Sequence, residues 1–563
     1  MPEDPASGRQ ELEDLVGALV GTRLFSSLDR QLLERVANAI QTFGVRAGES
    51  VVTEGEAGDT FYVVRSGLLE VVTGPNAERV RLLRAGVAFG ELALLGSRTR
   101  TATIRALRDS EVWCLPRENF DELLASEADF ARTMVRALTQ LVFESRPHQP
   151  RGRLSVIAIV PLHPDAPADS LVDAFETMLG TATVCAVRAQ PEATTSEWAT
   201  MVEAVERDHD IVLLVASHDH DAWFDFCVRE ADRVVAVANR SATIVPLDPT
   251  TRTDLVLFGS NRDGAVGPIL ARLEPRAHHL VDRHDQTSGL GRAVRRITDR
   301  SIGIVMSGGG ARGFAHIGVL QALADAGVTI DRFAGVSMGA LVGALAARRL
   351  SPAQISIGLR RELVDRRPFS DYGLPRISLI RANRARAMLE RLLGPAQIEE
   401  LAHDFFCVSA DLVSAEPVVH HSGSLVTAVA ASMSLPGLAP PLRDGPRILV
   451  DGGVLDNLPV ETMLRAETGP VIAVDVMGRG VPGARRSSRS GDRLPSLLET
   501  VARSTTLASR GRAEAQRELA SVAIVPELRD VSLLDFARFD AIVAAGRRAA
   551  EHVSVEARSL LNL

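Results

Sequence analysis

A serine flanked by glycines, in the run Gly335–Gly339 (GVSMG), lies between an apolar stretch and the small-residue stretch ALVGALAAR. Small neighbours let Ser337 occupy a tight strand-to-helix turn with its hydroxyl raised, where it can attack an ester carbonyl. One strand earlier, SGGGARG (Ser307 to Gly313) follows the apolar run SIGIVM. Glycines there let successive backbone N–H groups converge, and the helix behind adds a positive field, so the turn suits a phosphate or an oxyanion. The same spacing also fits a dinucleotide turn, with Asp331 as the acidic residue about 20 positions on. The serine elbow crowded onto the very next turn tells against that use.

A nucleophilic serine needs a base. The chain contains no lysine, so all 63 basic residues are arginine, which excludes a Ser/Lys dyad, a Schiff base and a P-loop. The usual α/β-hydrolase order is Ser, then Asp or Glu, then His. The histidines after Ser337 are His403, His420, His421 and His552, and only His552 follows the third motif, Asp451-Gly452-Gly453. It falls in a helical-looking stretch, whereas a catalytic histidine is expected on a loop. Asp451 ends the apolar run RILV, where two glycines let it reach a neighbouring strand end. The residues therefore describe a dyad of Ser337 and Asp451. His316, in GFAHIG, reads as a packed helix residue. A lone aspartate, with a reference pKa of about 3.9, is a weak base, so its surroundings must do more than hold an oxygen near the serine.

A second constellation lies far upstream, in FGELALLGSRTRTATI (89–104). Glu91 is followed nine residues later by Arg100, then Thr101 and Ala102. Arginine suits the single phosphate charge of a cyclic nucleotide, and a carboxylate suits its ribose 2′-OH. Backbone N–H groups near Gly90 and Ala102 complete a phosphate cradle. The plain alternative is a structural barrel in which Glu91 and Arg100 pair with each other.

The elements that must carry these groups follow from periodicity. Residues 9–21 and 28–42 read as helices, the first with Leu12, Leu15, Val16 and Leu19 on one face. From Gly44 to Leu115 short alternating runs split by glycines read as a β-barrel or jelly roll. Pro116 opens a helical stretch to about residue 145, and 145–153 reads as a linker. Residues 153–275 alternate apolar strands with helices (LSVIAIVPL, ATVCAV, DIVLLVAS, RVVAVAN, ATIVPL, LVLFG), the pattern of a mostly parallel sheet. A second α/β pattern runs from SIGIVM to about residue 476. The stretch 478–493 reads as a flexible loop whose arginines either meet anionic headgroups or, the commoner use of such a run, solvate a linker. The remainder reads as mostly helical. The expected organisation is an N-terminal helix at 1–22, a barrel at 23–145, an α/β spacer at 153–297, an α/β hydrolase at 300–476, and a loop with a helical region at 477–563.

Bulk composition bounds the rest. A chain of 563 residues with 46% hydrophobic and 24% charged residues is a multidomain globular protein. A net charge of −8 argues against nucleic-acid partners. Four scattered cysteines suggest neither a disulfide framework nor a metal site. No run reaches the roughly 20 apolar residues of a membrane span, and the polar start after Met1 does not suggest a signal peptide. A cytoplasmic protein that touches the inner membrane face is expected.

GGGARGFAHIGVL, GVSMGALVGAL, ASMSLPGLAPPL and LVDGGVLDNLPV together resemble the patatin-like phospholipases, most of all their neuropathy target esterase group. The likeness is close over 300–465 and looser through 223–240 and 533–546. It implies Ser337 as nucleophile and Asp451 as general base, an oxyanion hole from Gly308, Gly309 and Gly310 supported by Arg312, an elbow framed by Gly335 and Gly339, and a base motif completed by Gly452 and Gly453. It also implies a phospholipid or lysophospholipid ester as substrate, met at a membrane surface or micelle, with no catalytic cofactor. Residues 23–145 resemble cyclic-nucleotide-binding domains through the 89–104 segment and through Gly48, Glu54, Gly55, Gly58, Asp59, Phe61, Tyr62 and Gly67. That implies cAMP or cGMP as a regulatory ligand held by Gly90, Glu91, Arg100, Thr101 and Ala102. The competing expectation is a non-catalytic nucleotide sensor that only binds lipid.

Overall fold

The structure is a computed structural model that describes residues 15–17, 19, 29–73, 78–84, 87–90, 99–126, 130, 156–189, 195–241, 253–260, 263–373, 376–466, 469–478, 509, 511–528 and 530–559. Glu91, the 145–153 linker, the strand expected at ATIVPL and the loop from 479 to 493 lie outside the described residues. The chain forms two compact units, one of Met1–Val256 with Leu273–His278, the other of Leu257–Arg272 with His279–Leu563.

The first unit begins with a jelly roll. Its strands are β1 (Gln41–Val45), β2 (Ser50–Val52), β3 (Thr60–Ser66), β4 (Leu68–Thr73), β5 (Glu78–Arg84), β6 (Ala88–Phe89), β7 (Thr103–Ala106) and β8 (Ser110–Pro116). They form two four-stranded sheets, β1-β8-β3-β6 and β2-β7-β4-β5. Alternation of apolar and polar residues sends Val45, Val64, Leu69, Phe89, Ile104 and Val112 into the space between the sheets. Val16 and Leu19 join the helix Arg30–Ala39 and the helix Arg117–Ser126 in a second cluster on Phe61, Val63 and Trp113. Beyond the barrel come β9 (Val156–Pro161), β10 (Val184–Arg188), β11 (Ile211–Val215) and β12 (Arg233–Asn239), paired in parallel in the order β10-β11-β9-β12. These strands read as unbroken apolar runs because both faces are covered by helices. Strands β13 (Thr253–Phe258) and β14 (Ala277–Val281) follow, the second in a polar-looking AHHLV that periodicity did not mark.

The second unit is built on β15 (Gly303–Met306), β16 (Arg332–Gly335), β17 (Asp404–Asp411), β18 (Pro417–His420), β19 (Leu442–Asp444), β20 (Arg447–Asp451), β21 (Val471–Val474) and β22 (Val522–Ile524). The order is β19-β20-β17-β16-β15-β21-β22, with β18 added against β17. Alternate residues feed two cores. Ile304, Met306, Phe333 and Ile472 face the helices Ala315–Asp325, Met338–Ala347 and Phe539–Ser559, while Val305, Ala334 and Val471 face Leu458 and Met463. The sheet does not end near residue 476. β22 extends its edge in parallel with β21 from within the stretch read as mostly helical, because three residues, VAI, are too few to carry a strand period.

Candidate active site

Two adjacent parallel strands deliver the glycine turn and the serine. Met306 of β15 pairs with Gly335 of β16, so the residues leaving the two carboxyl ends emerge side by side. On the other flank Gly335 pairs with Cys407 of β17, and Ser409, two residues on, pairs with Asp451 of β20. Counting two residues on from Gly335 as well brings Ser337 and Asp451 to one level of the sheet, although 114 positions separate them in sequence.

Ser337 has φ 54° and ψ −119°, a backbone state that costs a residue with a Cβ on the order of 1–3 kcal/mol. The surroundings hold it there. A Cβ on Gly335 would collide with the backbone of Gly339, and one on Gly339 with the carbonyls of Met306 and Ser307. The Ser337 N–H donates to Ser432 Oγ at 2.9 Å, and that hydroxyl donates to the Val408 carbonyl at 2.7 Å. Ser337 caps the helix Met338–Ala347, so its hydroxyl stands at the positive end of the helix dipole.

Asp451 is 4% exposed. Its carboxylate accepts the Gly453 N–H at 2.9 Å, and the neighbouring Ser337 hydroxyl favours its ionised form. Burial pushes its pKa up to about 6, against the pull of those two groups. An aspartate so placed is mostly ionised at neutral pH and holds a proton far better than an exposed one, which is what a general base needs. The weakness of a lone aspartate is thus met by desolvation.

The three turn glycines differ. Gly308 lies directly against the serine, since a Cβ on it would fall 3.1 Å from Ser337 Cβ and 2.7 Å from Asn457 Oδ1. Its own N–H donates to Asn457 Oδ1 at 3.1 Å, and its carbonyl accepts from Asn457 Nδ2 at 3.2 Å. Gly309 and Gly310 N–H groups have no acceptor among the described residues, and Gly310 (φ 53°) packs against the Leu533 carbonyl too closely for any Cβ. Arg312 is buried, and its Nε donates to the Val531 carbonyl at 2.8 Å. It ties the turn to the loop of Val531 and Leu533 rather than facing solvent.

The histidines are held elsewhere. His316 is buried in the helix Ala315–Asp325, where its Nε2 lies 2.9 Å from the Ser307 carbonyl and burial lowers its pKa to about 4. His403 is lowered to about 3 by burial and by Arg292 and Arg349. His420 Nε2 lies 2.7 Å from Ser409 Oγ. Position 552 falls within the helix Phe539–Ser559. Two residues of the site escaped sequence reading, Asn457 and Ser432. Both stand inside the quoted motifs, LVDGGVLDNLPV and ASMSLPGLAPPL, but neither residue type announces a bond to a backbone so far away in sequence.

In the barrel, Arg100 is buried with its guanidinium over the Tyr62 ring, 5.4 Å from Cζ to centroid. Its Nη1 donates to the Gly90 carbonyl at 3.2 Å and its Nη2 to the Thr60 carbonyl at 3.1 Å. Its own backbone is fixed by the Glu56 carbonyl and the Gly55 N–H. Gly90 and Arg100 are therefore brought together, with Thr101 and Ala102 in the bend that leads into β7.

Comparison with known proteins places these sites in families. Patatin-like phospholipase matches residues 304–464 and cyclic nucleotide-binding domain matches residues 43–127. An uncharacterized NTE family protein of Mycobacterium tuberculosis is 34% identical over 562 residues, covering 95% of each chain. The chain belongs to the NTE family. Patatin-like phospholipase domain-containing protein 7 of Rattus norvegicus is 26% identical across 93% of this chain and 46% of its own length. Lysophospholipase nte1 of Aspergillus fumigatus is 25% identical across 93% of this chain and 42% of its own length. The present NTE family chain thus spans less than half of those two eukaryotic relatives. Its patatin-like domain makes it a carboxylic ester hydrolase. Among the described residues no helix is long and apolar enough to cross a membrane.

Proposed function

We propose that this NTE family chain hydrolyses a carboxylic ester bond of phospholipids or lysophospholipids through a dyad of Ser337 and Asp451. The observation that carries the reading is the strand register that brings Ser337 level with a buried Asp451 beside the glycine turn. Asp451 takes the hydroxyl proton as Ser337 Oγ bonds to the ester carbonyl carbon. The carbonyl π electrons move to oxygen, and the N–H groups of Gly309 and Gly310 meet that oxyanion, each such donor contributing about 10²–10³ in rate. Collapse expels the alcohol, which takes the proton from Asp451 and leaves acyl-Ser337. Water then gives its proton to Asp451 and adds to the acyl carbon, and the fatty acid departs as Ser337 Oγ recovers its proton. Gly308 and Asn457 hold the turn, and Arg312 supports it from behind. The names of the rat and fungal relatives support the lipid class of the substrate. A cytoplasmic enzyme that meets lipid at a membrane surface or micelle is part of the same proposal.

The test is labelling with a fluorophosphonate together with hydrolysis of lysophospholipids and of short soluble esters. Wild type labels and turns over, while Ser337→Ala does neither. Lipid binding with no labelling of wild type would instead favour a non-catalytic sensor. In the barrel, Arg100 in its cradle of carbonyls supports binding of the phosphate of cAMP or cGMP as a regulatory ligand.

A further inference from the structure

The loop between the helix that ends at Leu359 and the helix Asn383–Leu393 has a composition unlike the rest of the domain. Residues 366–373 and 376–386 hold six arginines and one acidic residue, Asp371. Tyr372 is 66% and Ile377 is 75% exposed. Arg367, Arg376 and Arg381 are exposed and form no ion pair among the described residues. Exposed aromatic and aliphatic side chains set among unpaired arginines match an anionic lipid surface. The apolar groups enter the interface while the guanidinium groups meet headgroup phosphates.

The loop is also built onto the walls of the catalytic site. The Leu379 and Ile380 N–H groups each donate at 3.0 Å to the carbonyls of Gly437 and Leu438. That segment follows Ser434, whose carbonyl accepts the Asp451 N–H at 2.9 Å. On its other side Phe369 packs on Phe536, with ring centroids 5.5 Å apart. Phe536 lies just beyond Leu533, which backs Gly310, and Leu534, which is 46% exposed. The half-buried Phe369 and Phe536 thus link the loop to the segment that backs the glycine turn.

We propose that Tyr372 and Ile377, with Arg367, Arg376 and Arg381, dock the catalytic domain on an anionic phospholipid bilayer. The proposal rests on the lipid-esterase reading for its purpose but not for its measurement. Vesicle co-flotation of the full chain tests it, with phosphatidylcholine alone and with added phosphatidylglycerol. Wild type and Ser337→Ala should bind the anionic vesicles alike, bind neutral ones weakly, and detach as salt rises. Each arginine near such a surface contributes roughly fivefold, so Arg367→Gln/Arg376→Gln/Arg381→Gln should lower partitioning on the order of a hundredfold. Tyr372→Ser/Ile377→Ser should weaken binding to both vesicle types. All of these positions are exposed, and unchanged far-UV circular dichroism and melting confirm that the variants fold. Equal binding of wild type and both variants overturns the docking surface even if esterase activity is found. Loss of binding in the variants sustains it even if no ester is turned over.

Discussion

As the base of the proposed dyad, Asp451 would set both the pH range of the reaction and a cost in stability. The base works ionised, so with a pKa pushed up to about 6, kcat/KM should be flat above pH 7 and fall about tenfold per unit below pH 6. The same shift has the opposite sign for folding. A carboxyl whose folded pKa lies above its unfolded value weakens the fold when ionised, fully so above the folded pKa and not at all below the unfolded one. Raising it from 3.8 to about 6 corresponds to about 3 kcal/mol. Asp451→Asn keeps an acceptor for Ser337 and Gly453, so at pH 8 it should lose about 10²–10⁴ in kcat yet melt higher than wild type. Scanning calorimetry from pH 8 to pH 4 checks the sign: the gap should begin to narrow near pH 6 and close towards pH 4, and an Asn variant less stable at pH 8 would contradict it. Asn457→Ala makes a separate case, since it strips the buried Gly308 N–H and carbonyl of their partners. It should cost about 1–3 kcal/mol in urea denaturation and lower kcat more than KM, because the turn rather than the substrate cleft loosens. That the sheet would bring Ser337 and Asp451 to one level was legible because flanking glycines advertise both. Asn457 and Ser432 were not, because an amide and a hydroxyl reveal their partners only once the sheet brings strands from distant sequence to one level.

Elements position these residues through contacts that leave no room for side chains. The helices Ala315–Asp325 and Phe539–Ser559 pack so closely that a Cβ on Gly318 would collide with the Val543 carbonyl, and one on Gly546 with the Ala315 carbonyl. Alanine normally favours a helix over glycine by about 1 kcal/mol. Here Gly546→Ala should instead destabilise by about 1–3 kcal/mol through overpacking, measurable as a lower denaturation midpoint. A neutral or stabilising result would mean the second helix is not seated as described. That helix backs the glycine turn, with Phe539 on Phe314 at 4.5 Å between ring centroids, so the variant should lose turnover as well. The strands β15 and β16 were readable from SIGIVM and the run before GVSMG, because both faces are buried and apolar. The hold of the last helix on the domain was not, because small residues at a crossing look like ordinary helix formers. The loop with Tyr372 and Ile377 hid for a related reason: its apolar residues face outward and follow no period.

Across the whole molecule, the patatin-like domain lies in one compact unit and the cyclic nucleotide-binding domain in the other, so the proposed regulation would appear as a coupling between two separately measurable sites. The barrel was legible at the level of its turns and its arginine, while Glu91 lies outside the described residues, so the arginine carries the test. Two of the five Arg100 N–H donors are used on the carbonyls of Gly90 and Thr60, and three donors remain with which a guanidinium can bind a phosphate. Calorimetric titration with cAMP and with cGMP should show binding of at least one, and at 100 Kd that ligand should stabilise the barrel by about 2.7 kcal/mol. Arg100→Gln should abolish both effects without lowering turnover in the absence of nucleotide. If the sites communicate, saturating nucleotide changes kcat/KM on lysophospholipid, and couplings of this kind typically span about 5–150-fold. Reciprocity then supplies the stricter check: a substrate analogue that occupies the Ser337 site without reacting must shift nucleotide affinity by the factor by which nucleotide shifts its own. Binding with unchanged turnover and unchanged reciprocal affinity would leave the barrel a nucleotide sensor and remove it as a regulator of Ser337.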